Sequence, residues 1–370
     1  MAHNVWIENG KAHAAFGSNK APWWDLEGTS STVVSGLLTA KEMLHAAGQD
    51  WLVEKRQLSW AKTAKDIRPV DAYGIFRKTD DVMLGVVTDF YKVIQNHEAF
   101  DFSDALVEAV GGAHYEAAGC LDGGKMIWTL VKIPQEMLIL GKDLHKIYLL
   151  FTTRHDGKGS AIAKIVEERV VCHNTLDMAL REGGTYCRVG HFGNTKGKLD
   201  GARKLMSSVT GQVQSLEQKL NILAQRKLDK KTFLAVLDAL YPPSKVEVEA
   251  RSAAAQAHAT IRENKLAEIA GLFESNDKNA FPEIRGTAYN LLNAVIEYTD
   301  HHAGTDAARS KSALFGAGSD LKQDALEVIL ETTAGAKEVN TKIVSKPMAA
   351  SILDDVVETT STRKTSKARA

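Results

Sequence analysis

The apolar positions of the chain follow two rhythms. Up to about Lys196 they come as short runs punctuated by glycine and by Asp-Gly pairs, and beyond it they recur at three- and four-residue steps. In the first stretch, residues 82–91 (VMLGVVTDFY) predict a strand, and HEAFDFSDALVEAVGG predicts a helix capped by Asn96 and stopped at Gly111 and Gly112. The runs 114–118 and 125–133 flank CLDGG, whose Asp-Gly turn chemistry predicts a β-hairpin. A third strand is predicted over 146–153 (KIYLLFTT) and a fourth over 164–172 (KIVEERVVC). Asn174 is then expected to cap a helix through TLDMALREGG, closed by Gly183 and Gly184, ahead of a short strand TYCRVGHF.

The second stretch opens on Leu199, Ala202, Met206, Val209, Val213, Leu216, Leu220 and Leu223, a heptad seam that packs either on a second subunit or on the chain's own later helices. Further helices are predicted over 231–240, 245–273, 287–301 and 320–333. The fold class expected is therefore α+β: an antiparallel sheet built on a hairpin, followed by a mainly α-helical C-terminal region. Four segments are expected: a Trp-rich N-terminal segment (1–65), an α+β core domain (66–195), a helical domain (196–340) and a basic, disordered tail (341–370).

Composition narrows the partners. Lys+Arg and Asp+Glu both number 46, which excludes nucleic-acid binding by bulk charge and leaves only local patches. Three cysteines point to a reducing compartment, the cytoplasm. No apolar run reaches the ~18 residues that a spanning helix needs, so no membrane partner is expected.

Two groups have metal-ligating side chains. Cys172, His173, Cys187 and His191 lack the close cysteine pair of a zinc knuckle, and Asp300, His301 and His302 at a helix end suit the helix dipole without a metal. Neither a phosphate loop, a nucleophile elbow nor a dinucleotide fingerprint is present, so no catalytic residue, metal or cofactor is assigned and an enzyme is not expected. The basic residues carry more information. Arg154, Lys158, Lys164 and Arg169 cluster after the third strand, and from Arg188 to Lys204 five Lys/Arg, among them Arg188, Lys196 and Lys198, stand against the single acid Asp200. With His191 and Phe192 among them as stacking rings, these residues would hold the phosphates and bases of a single strand, unless they are merely a solvated face.

Seven ordered blocks carry a resemblance: APWWDLEGTS, LGVVTDFYKVIQNHEAFDF, YEAAGCLDGGKMIWTLVKIP, LLFTTRHDGKGS, RVVCHNTLDMAL, GTAYNLLNAVIEYTDHHAG and SALFGAGSDLKQDALEVIL. From about residue 22 to 331 the chain resembles the phage/plasmid-like protein family, built on a domain of unknown function found in bacteriophage and plasmid genomes. More distantly, residues 115–180 are similar to the β-β-β-α core of Rad-type single-strand annealing proteins, which hold a single strand in a basic groove of a ring or filament without hydrolysing nucleotide. That resemblance implies a homo-oligomer that binds single-stranded DNA and anneals it in recombination or replication. The rival expectation is a structural or protein-interaction scaffold with neither nucleic-acid nor catalytic activity.

Overall fold

The computed structural model describes residues 7–8, 11–12, 14–16, 32–33, 39–158, 162–169, 175–179, 187–188, 195–249, 252–275, 281–305, 309, 312–313 and 316–334. Short N-terminal strands come first: β1 (Ile7–Glu8), β2 (Lys11–Ala12), β3 (Ala14–Phe16) and β4 (Thr32–Val33). Helix α1 (Ala40–Ala46) follows, closed at its start by a capping box between Thr39 and Glu42. A three-stranded sheet is formed by β5 (Val53–Thr63), β6 (Asp66–Arg77) and β7 (Met83–Val87), paired antiparallel in that order.

Helix α2 (Asn96–Ala109) leads into β8 (His114–Leu121), β9 (Met126–Ile139), β10 (Asp143–Arg154), β11 (Ile162–Arg169), β12 (Thr175–Ala179) and β13 (Cys187–Arg188). The helical half comprises α3 (Thr195–Gln225), α4 (Lys230–Leu240), α5 (Lys245–Glu249), α6 (Ala253–Glu274), α7 (Ala288–Glu297) and α8 (Ala317–Thr333). The architecture is the expected α+β: antiparallel strands in the N-terminal half, helices in the C-terminal half. The main sheet runs β12-β11-β10-β9-β8-β3-β4, with β13 also on β11; all its pairings are antiparallel except β3 with β4.

Period-two alternation sends Ile127, Val131, Ile147, Leu149, Phe151 and Ile165 into one large core, which also takes Leu106 of α2 and Leu291 of α7. The heptad seam lands in this same core: Val209, Val213, Leu216, Leu220 and Leu223 are all buried within the chain. Intrachain packing, not subunit contact, therefore accounts for this part of the seam. Polar residues of α3 fix the docking, because Glu217 Oε1 accepts from the amide of Leu138 (3.1 Å) and Asn221 Oδ1 from that of Leu140 (2.9 Å) at the end of β9. The opposite sheet face carries a smaller cluster that includes Trp128, Leu130, Tyr148, Leu150 and Val166.

Several expected elements differ. The helix expected after Asn174 is, over its described part, strand β12, in register with β11 from Lys164↔Ala179 to Glu168↔Thr175. Without it, β11 would lack that ladder partner, and tertiary pairing outweighs the local cap and stop signals. The residue N-terminal to α2 is Gln95, which forms the capping box with Glu98, and Asn96 lies inside the first turn. The expected helix 245–273 is divided into α5 and α6, the latter capped by Ser252. The long β5–β6 hairpin is a further element, beyond those the apolar pattern predicts.

Candidate nucleic-acid interface

The first basic cluster does not form one groove. Arg169 is 1% exposed and donates from Nε to Asp143 Oδ2 at 2.6 Å in the core. Lys164 is 7% exposed and sits opposite Leu150, five residues back along the same strand, so alternation sends it to the other face of the sheet. Arg154 forks onto Asp156, and Lys158 is exposed. Arg188 is on β13 opposite Ile162, Lys196 and Lys198 lie in α3, and His191 and Phe192 lie outside the described residues. Of the zinc-type group, Cys187 is on β13 and the others lie outside the described residues; Asp300 is held by Lys322 Nζ at 2.8 Å, and His302 meets Glu268 at 2.9 Å.

The buried cation belongs to a polar network at the seam between sheet and helices. Asp143 and His145 on β10, with Glu167 and Arg169 on β11, alternate so that all four face α7. His145 bonds Glu167 through Nδ1 and the Tyr289 hydroxyl through Nε2 (2.8 Å), and that hydroxyl donates to Asp143 Oδ2 at 2.8 Å. An imidazolium satisfies both ring contacts as donor, whereas a neutral ring would turn a lone pair toward one acceptor. Burial acts to lower the His145 pKa, but Glu167 and Asp143 outweigh it and lift it to about 9. The cavity among these side chains is about 10 Å³, room for a single water and no substrate.

A second knot docks the small sheet. Arg77 is buried, pairs with Asp80, donates to the Gly123 carbonyl at 3.2 Å and lies 5.3 Å from the Trp51 ring centroid. His155 Nε2 meets Asn96 Oδ1 at 2.6 Å, and burial lowers its pKa to about 4. Gly85 has no room for a side chain, because a Cβ there would come within 2.5 Å of Asp156 Cα. This close backbone approach sets the turn after β10 directly on β7.

A group of exposed cations lies instead on the far end of the β5–β6 hairpin, where Lys62, Lys65 and Arg68 stand near one acid, Asp66; nearer the base of the hairpin Lys55 is paired with Asp89, and Arg56 with Glu54 and Asp81. From Ser59 to Pro69 every residue except the half-buried Asp66 is exposed, including Trp60 (49%) and Ile67 (63%). Trp60 pairs directly with Arg68 across the strands, its ring centroid 5.9 Å from the guanidinium carbon. The tip is shaped by Thr63, whose hydroxyl accepts from the amides of Lys65 and Asp66 (3.3 and 3.1 Å). The sequence signal was available, since WAKTAKDIR places an aromatic ring among closely spaced cations, but it lay outside the strands the pattern had marked.

Fold and site thus define an α+β protein whose helical half closes one face of an antiparallel sheet and whose small sheet projects a basic, aromatic hairpin. The family model "Domain of unknown function (DUF932)" matches residues 83–324, from the start of β7 into α8, and the chain belongs to that family. The hairpin precedes the matched span. No curated protein and no solved structure matches the chain.

Proposed function

We propose that this is a nucleic-acid-binding protein that takes single strands along the β5–β6 hairpin, in the setting of a phage or plasmid genome. The observation that carries the reading is the hairpin beyond Leu58, which leaves Trp60 and Ile67 in solvent beside Lys62, Lys65 and Arg68. Ring and cations side by side are what a single strand needs, a face for a base and charge for its phosphates. Lys62 and Lys65 form no ion pair among the described residues, whereas Arg68 keeps Asp66 as a partner. Strand annealing, implied by the Rad-type resemblance, is the finer form of the same proposal, with a homo-oligomer as its vehicle.

The test is a titration of labelled single-stranded DNA at low and moderate salt against duplex competitor. Preferential binding that weakens with salt is expected. The double variant Lys62→Gln/Lys65→Gln should lower the slope of log affinity against log salt by about 1.4, at ~0.7 per phosphate contact. Absence of binding at low salt would sink the proposal and leave the scaffold reading, which the exposed apolar Met83 and Val86 on β7 favour.

A further inference from the structure

Phe90, in the turn that follows β7, is 94% exposed, so its ring does almost nothing for the fold. Its backbone is nonetheless pinned from three sides. The amide of Tyr91 donates to the Thr88 carbonyl at 3.2 Å, closing a turn with Phe90 inside it. Lys55 Nζ donates to the carbonyls of Asp89 (2.6 Å) and Tyr91 (3.2 Å) and to Asp89 Oδ1 (3.3 Å), and it lies 4.7 Å from the Tyr73 ring centroid. The Tyr91 hydroxyl donates to the Arg154 carbonyl at 3.1 Å. These bonds hold the turn around an aromatic ring that points at no partner among the described residues.

The charges around this turn are the cations Lys55, Lys92, Arg154 and Lys158 and the acids Asp89 and Asp156, the last forked by Arg154. Asp89 has its carboxylate in contact with Lys55, and Lys92 two residues beyond Phe90 is exposed. The turn after β10 lies against the end of β7, since a Cβ on Gly157 would come within 2.9 Å of Val87 Cγ1, and the exposed Lys158 follows Gly157 directly. Lys55 sits five residues from Trp60 on β5, roughly 17 Å along the strand.

We infer that Phe90 is a second stacking station for the single strand, a base lying on its ring and the adjoining phosphates meeting Lys92 and Lys158; the inference rests on the hairpin reading above. Arg154 then acts through its backbone as a positioning residue, not as a phosphate contact. A ring carried on a pinned backbone turn suits this role because the loop needs little ordering on binding, and a base face accepts an aromatic ring whatever the sequence.

The experiment measures fluorescence anisotropy of a labelled oligothymidine of about 30 nucleotides, longer than the ~4–16 nucleotides of common single-strand sites, with the full chain. Phe90→Ala should weaken binding about tenfold at an unchanged melting temperature, and Phe90→Trp should restore it. If Phe90→Ala binds like the unaltered chain while Lys62→Gln/Lys65→Gln loses affinity, the second station is refuted and the hairpin reading stands. If the unaltered chain binds no oligothymidine at low salt, both fall. A change in oligomeric state on Phe90→Ala at unchanged affinity would assign the ring to a chain–chain contact and overturn the inference.

Discussion

Removing the Arg169 guanidinium leaves Asp143 and Glu167 in the core with one counter-charge fewer, and a broken buried pair costs about 3–5 kcal/mol. Arg169→Ala should therefore lower the urea midpoint sharply, and a variant that folds normally but loses nucleic-acid affinity would return Arg169 to the surface. Tyr289→Phe is a finer probe. It takes an acceptor from His145 and a donor from Asp143, so a loss of about 1–3 kcal/mol is expected in the same denaturation series. Sequence alone could place Arg169 in a basic cluster but could not say which face of β11 it occupied. Its signature was the pairing of D-x-H on one strand with E-x-R on the next, in which charges of both signs share a period-two face.

At the level of elements, the seam of α3 was legible because its apolar residues recur at helical spacing, while its partner was not, since a heptad reads the same against another chain or its own. The buried Val209, Val213, Leu216, Leu220 and Leu223 supply the answer. Leu216→Ala should cost about 2–5 kcal/mol in thermal or chemical unfolding and leave the association state unchanged. A smaller oligomer at unchanged stability would contradict this packing. Strand β12 shows the opposite case, in which a cap at Asn174 and stops at Gly183 and Gly184 read as helix until the edge of β11 claimed the segment. The β5–β6 hairpin escaped notice because its outer half packs on little, so its residues carry no in-out alternation for a pattern to find.

For the whole molecule, two buried histidines bracket the pH range of stability. The His145 pKa is raised from 6.5 to about 9, so its contribution is fully present below pH 6.5 and is lost as pH rises through 9. The His155 pKa is lowered from 6.5 to about 4, so its contribution is present above pH 6.5 and is lost as pH falls toward and through 4. Melting temperature against pH should thus fall on both sides of neutrality. His145→Gln should flatten the alkaline limb alone; an unchanged limb would show that the imidazolium does not tie β10 and β11 to α7. What the sequence by itself determined was the class of fold, the helical half, the hairpin at CLDGG and the neutral total charge, because periodicity, turn chemistry and composition act locally or in sum. Only the tertiary structure decided which cations are spent inside, with Arg169 on Asp143 and Lys322 on Asp300, and which reach solvent beside a ring, as Lys62 and Lys65 do near Trp60. A charge is recorded in the chain, but its desolvation and its partner depend on residues brought together from distant positions.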